Sequence, residues 1–238
     1  MKEEIAPSLR DFVICFWEMQ PKIDEDKAVK DLVLIDGCTE LGVNWDTKWI
    51  GYAAPSMTKT ACEETTYVTH NFIAAKLKPG AFTQLTGLPA KAIQDHIYLD
   101  LKDVDQNSNP EILSTLSYEK TKVFLEEYLK NLICNKMPND FVTLFDELCD
   151  SPPKAVTQLY ERFHFSPRHY GNSPQMVMTI LRFQYCLHLI TSGQKTPRDI
   201  LELIQFSDQS HFIREFKKYI RLAPYEYLKK YQDGVFVL

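Results

Sequence analysis

The stretch that most constrains this chain is Phe206–Tyr227, FSDQSHFIREFKKYIRLAPYEY. It reads as a turn, a short helix and a proline stop. Ser207 or Asp208 can cap the helix by accepting a hydrogen bond from an orphan backbone N–H. Asp208 also sits at the positive end of the helix dipole. Phe212, Phe216 and Tyr219 fall at i, i+4 and i+7 and make one apolar stripe. Gln209, Ser210, Arg214, Lys217, Lys218 and Arg221 take the other side. Pro224 cannot continue a helix, so the segment ends shortly before it. A helix this short does not hold itself together in water, so its rings must pack on neighbours. What remains is a rigid cylinder presenting amides, hydroxyls and cations. Such a cylinder fits the major groove of B-DNA, where Arg can fork onto guanine, Gln can pair with adenine and Lys can meet phosphates. From periodicity alone, an ordinary surface helix with a basic face is the simpler reading.

The literal string goes further. Asp208-Gln209-Ser210-His211-Phe212, then Arg214, Phe216-Lys217, Pro224 and Tyr227, resembles the second helix-turn-helix of AraC-type transcriptional regulators. The resemblance implies double-stranded DNA as partner. It implies Gln209, Ser210 and Arg214 at base edges, with Ile213 against a thymine methyl. Lys217 and Lys218 would meet phosphates, and His211 would fix the start of the helix.

Charge is distributed accordingly. Residues 1–150 carry 15 Lys and Arg against 25 Asp and Glu, and residues 151–238 carry 12 against 7; the net charges, −10 and +5, give the −5 of the whole chain. A basic C-terminal third on an acidic body is what a DNA-contacting module on a separate sensor looks like.

The N-terminal part reads as short strands: Phe12–Trp17, Leu32–Ile35, Thr39–Trp45, Trp49–Ala53, Thr65–Val68 and Phe72–Leu77, with a turn at Asp36-Gly37. Ala81–Thr86 and Ala90–His96 read as short helices. Many short strands at close spacing predict an antiparallel barrel or sandwich. Phe16-Trp17, IDGCTEL (35–41) and KPGAFTQLTGLP (78–89) resemble the N-terminal sensor-type domain of one branch of the same regulators, which implies a cupin-like β-barrel. Such a barrel can hold a small-molecule effector. Trp17, Trp45, Trp49, Tyr52 and Phe72 are its candidate lining; each taken singly is more simply a core aromatic.

A metal-dependent cupin enzyme needs clustered histidines and a carboxylate, and only His70 and His96 lie in this part. No nucleophile–base pair, phosphate loop or paired-carboxylate motif is present. No metal, cofactor or enzymatic activity is expected. Six scattered cysteines without C-x-x-C, no apolar run of bilayer length and a polar N-terminus predict a reduced, cytoplasmic protein away from the membrane.

Residues 1–110 are therefore read as the β-rich domain and 111–137 as a helical linker. In that linker Phe124, Leu125, Tyr128, Leu129, Leu132 and Ile133 form a stripe that either docks on its own domain or forms a dimer. Residues 138–238 are read as the helical DNA-binding domain, with helices over Phe141–Leu148, Ala155–Phe163, Met176–Ile190 and Ile200–Ile204. FHFSPRH (163–169) and Gly171-Asn172-Ser173-Pro174 resemble the turn and the exit of a first helix-turn-helix. Asp208 to Pro224 is 16 positions, but Ser166 to Pro174 is only 8. Pro167, Gly171 and Pro174 leave no room for a two-turn helix there. In a second alignment 155–163 is the recognition helix of this half.

The second half departs too: Leu201 stands for a small residue, Gln205 and Arg221 for glycines, Ala223 for Ser or Thr. In this reading Arg168 is a phosphate contact from the damaged first unit.

The expected fold is α+β, an antiparallel β-barrel followed by an all-α helix-turn-helix domain. The expected function is sequence-specific DNA-binding regulation, weakened by the shortened first unit, with a homodimer able to restore affinity. The alternatives are a sensor or interaction protein that has lost DNA binding and, third, a cupin-type small-molecule enzyme.

Overall fold

The computed structural model describes residues 5–19, 29–33, 35–54, 62–66, 71–94, 98–108, 111, 116–134, 136–137, 142, 145–152, 156–163, 167–191, 199 and 209–230. Seven strands are described: β1 (Val13–Met19), β2 (Val29–Val33), β3 (Thr39–Asn44), β4 (Trp49–Ala53), β5 (Cys62–Thr66), β6 (Phe72–Leu77) and β7 (Tyr98–Asp100). They form a five-stranded sheet in the order β1-β6-β3-β4-β7 and a two-stranded sheet β2-β5. Every pairing is antiparallel.

Alternation sorts the larger sheet into two faces. Leu41, Val43, Ile50, Tyr52, Ile73, Ala75 and Leu77 point into the main core. Helices α1 (Ala81–Thr86), α2 (Ala90–Gln94), α3 (Leu101–Val104) and α4 (Tyr118–Ile133) follow, and residues from all four join that core. The apolar stripe of α4 is used here. Leu125 and Leu129 are fully buried, and Phe124, Tyr128, Leu132 and Ile133 pack beside them against the same core.

Strand bounds agree with the sequence pattern within a few residues, with one displacement that matters. Leu32–Ile35 reads as a strand, but β2 ends at Val33 and Ile35 lies in the following loop. There Gly37 takes φ +74°, and the Asp36 carboxylate accepts the Cys38 backbone N–H at 2.7 Å. This side-chain turn takes the chain out of the ladder. β7 and α3 are not legible in the pattern: each is too short to show a period.

The C-terminal part is helical: α5 (Phe145–Asp150), α6 (Val156–Phe163), α7 (Pro167–Tyr170), α8 (Pro174–Thr191), α9 (Gln209–Ile220) and α10 (Pro224–Lys230). The expected helix over Ile200–Ile204, the caps Ser207 and Asp208, the turn residue Gln205, and His70 and His96 lie outside the described residues. Between Ser166 and Pro174 there is only the single turn of α7, as the proline and glycine spacing requires. The two-turn helix of the first half is α6, the placement of the second alignment.

The long helix α8 is apolar on two sides because it serves two clusters. Val177, Met178 and Leu181 meet Phe145, Leu148, Leu159 and Tyr170. Ile180, Phe183, Cys186, Leu187, Leu189 and Ile190 meet Phe212, Phe216, Tyr219, Ile220 and Tyr227.

The halves share a repeated corner. Gly171 and Arg221 both adopt left-handed backbone, φ +69° and +63°, and each is followed three residues later by the proline that opens a helix. Arg221 donates its N–H to the Lys217 carbonyl at 2.8 Å, closing α9 with a left-handed cap. A side chain at such a φ costs about 1–2 kcal/mol. Arg221→Gly is therefore expected to raise stability by about 1 kcal/mol, read as a higher urea midpoint at unchanged slope. Ala223 offers no capping oxygen, and the Glu226 carboxylate takes its N–H instead at 2.7 Å, the return half of a capping box.

Candidate nucleic-acid interface

Helix α9 is built as its periodicity demands. Phe212, Phe216, Tyr219 and Ile220 are buried. Phe183 of α8 lies 5.5 Å from the Phe216 ring and 5.8 Å from that of Tyr219, centroid to centroid. Phe212 and Tyr227 close on Phe216 edge-on at 5.7 and 6.0 Å. The opposite flank is open: Gln209, Ser210, Arg214, Lys217, Lys218 and Arg221 are exposed, and Ile213 is half-buried.

Local contacts tune that flank. The Arg214 Nε donates to the Ser210 carbonyl at 3.3 Å, which lays the guanidinium along the helix towards its N-terminus. Lys218 lies 3.8 Å from Glu215 and 5.0 Å over the Tyr219 ring. A side-chain hydrogen bond with Tyr219 holds the Lys218 ammonium pKa above its ordinary value. Exposed pairs of this kind add little to stability, and the cations stay available to a polyanion.

The first half presents a different surface. Arg168 is exposed on α7. On α6, Leu159 is fully buried while Thr157, Gln158, Tyr160 and Glu161 face solvent. These α6 residues are absent from the candidate set drawn from sequence. The signal was the amphipathic pattern of 155–163.

The five candidate pocket aromatics do not share one surface. Trp17 and Trp49 gather around Phe72, with ring centroids 5.1 and 6.5 Å away. They lie on the sheet face opposite the helices, with Gly42, Gly51 and Ala74 among them. A Cβ on Gly42 would stand 2.5 Å from the Phe72 ring, so that ring rests directly on the backbone. Tyr52 alternates to the other face, where it is buried edge-on against Phe82 at 5.1 Å. Trp45 sits beyond the end of β3, donating its Nε1–H to the Leu116 carbonyl at 3.4 Å under the Lys48 ammonium. Strand alternation separates Tyr52 from the group, and the strand end separates Trp45.

Among the described residues there is no cluster of three or more His, Cys, Asp or Glu able to hold a metal. Burial raises the Cys38 and Cys186 thiol pKa values, with Asp36 adding to the effect at Cys38. No helix among the described residues is long and apolar enough to cross a membrane.

Comparison with known proteins agrees with this geometry. Residues 147–230 match a family described as a helix-turn-helix domain. Residues 4–98 match a family described as a domain of unknown function, DUF6597. No curated protein matches the chain. Among solved structures, an apo variant of ToxT from Vibrio cholerae strain SCE256 is 14% identical with a TM-score of 0.40, over 95% of this chain and 99% of that one. ToxT from Vibrio cholerae O395 is 12% identical with a TM-score of 0.41, over 92% and 97%. ToxT from strain SCE256 bound to an unsaturated fatty acid is 12% identical at 0.39, over 91% and 94%. Superpositions this loose carry over no feature of ToxT. The helix-turn-helix match falls on the segment that holds α9 and its exposed basic flank. The chain is a DNA-binding transcription regulator whose AraC-type helix-turn-helix domain, residues 147–230, follows an N-terminal domain of undescribed function.

Proposed function

We propose that α9 enters the major groove, with Arg214, Gln209 and Ser210 at base edges, Ile213 against a thymine methyl, and Lys217 and Lys218 on phosphates. The observation that carries this reading is the open cationic flank of a helix whose other side is locked by four buried residues. α9 exposes Arg214, Lys217 and Lys218 on one flank, so in this reading it carries most of the affinity, and Arg168 contributes one phosphate contact. A monomer then binds weakly and with strong salt dependence, and a homodimer strengthens binding by placing two such helices on one duplex.

Arg214→Ala is expected to weaken binding to a preferred duplex by about 1–3 kcal/mol, roughly tenfold or more, and to relax base preference. Lys217→Ala is expected to weaken all sequences alike and lower the salt slope by about one. Titration of both variants across a salt series checks this. An Arg214→Ala protein with wild-type affinity would sink the assignment.

A sensor that has lost DNA binding is the rival reading. Absence of any gel shift on low-salt, non-specific duplex would select it. For the N-terminal domain we propose a small-molecule effector held against the aromatic group of Trp17, Trp49 and Phe72 on the sheet face opposite the helices. Quenching of tryptophan fluorescence by a bound ligand is the direct test.

A further inference from the structure

The two domains meet at a buried seam. Gly37, Pro79, Tyr170, Val177, Ile180 and Leu181 surround a small crevice there. Ile35 belongs to the same buried cluster as Phe183, Phe212 and Phe216. A polar contact crosses the seam: the Gln184 amide donates to the Ile35 carbonyl at 2.6 Å, with both groups buried. A buried amide and carbonyl each need their partner, so this bond ties α8 to one backbone position of the N-terminal domain. The next residue, Asp36, makes a buried ion pair with Lys76 of β6 at 2.5 Å. Burial disfavours the Lys76 ammonium, but Asp36 outweighs it and keeps the group charged. Lys76 alternates onto the same sheet face as Ala74 and Phe72. On the far side of the seam, Phe183 is the neighbour of Gln184 and packs on Phe216 of α9.

We propose that loop 35–38 is an interdomain latch: the Lys76–Asp36 pair holds the loop against α8, and α8 thereby fixes where α9 stands. The contacts run without a gap from the face of the sheet to the helix assigned to DNA. Lys76 and Gln184 are positioning residues, and neither is near the exposed flank of α9. The link to DNA affinity rests on the function proposed above; the latch itself does not.

The test is hydrogen exchange on the full chain, read at the amides of β3, β6, α8 and α9. Lys76→Met is expected to lower α8 and α9 protection about tenfold while β3 and β6 keep most of theirs. Loss confined to the strands would overturn the latch. Should Lys76→Met fail to fold, Gln184→Leu leaves the sheet intact and is expected to lower α9 protection likewise; unchanged protection there would overturn it. Both variants are expected to lose about fivefold or more in duplex affinity, the usual scale of site-to-site coupling. Exchange coupling in a wild-type protein that binds no duplex would support the latch and remove the DNA reading.

Discussion

Phe216→Ala is expected to unfold the helix-turn-helix domain under mild denaturant, at a cost of about 3–5 kcal/mol. The ring is 1% exposed and touches rings from two other helices, Phe183 of α8 and Tyr227 of α10. Removing it opens a cavity that none of these can fill, because each is itself held by neighbours. Whole-domain stabilities are about 5–15 kcal/mol, so one ring is a large share. All three tryptophans, Trp17, Trp45 and Trp49, lie in the N-terminal domain. Their fluorescence should therefore report a sheet that outlasts the helices in this variant. Ellipticity should fall first, and DNA binding with it. Coincident loss of both signals at the wild-type midpoint would show that α9 is not pinned as described.

Gly80→Ala should be the most damaging small substitution at the seam. Gly80 has φ +86°, which costs about 1–2 kcal/mol for any side chain. An added Cβ would also overlap the Tyr170 ring. That ring is 2% exposed and packed in the first-half cluster with Phe145 and Leu159, so it cannot swing away, and overpacking adds about 1–3 kcal/mol. Gly87 supplies the control. It has φ +78° and nothing within 4 Å of an added Cβ, so Gly87→Ala should show the backbone cost alone. Urea unfolding of the two variants separates the terms. Equal destabilisation of both would mean that Tyr170 does not press on Gly80.

The sheet and the helices were mostly legible because their signals are local. Alternation in β3, β4 and β6 and the i, i+4, i+7 rings of α9 depend on residues within one element. In the first unit, the single turn of α7 was legible as a proline and glycine spacing. Its helix was harder to place, because α6 and the segment after it both carry plausible turn residues on their N-terminal sides. The candidate pocket mixed two faces. An aromatic at Tyr52 reads like one at Trp49 until register assigns each to a side, and register is set by pairing with strands elsewhere in the chain.

By itself the sequence determined that α9 has one side to bury and one cationic side to show, since a helical period acts within a dozen residues. It determined likewise that the stripe of α4 needed a cover. Only the tertiary structure decided what the cover is: the protein's own sheet in the case of α4, and the loop at Ile35 for Gln184, 149 residues away. The physical reason is that an apolar stripe or a buried amide states a requirement without naming the group that meets it. That group is chosen when distant segments pack together.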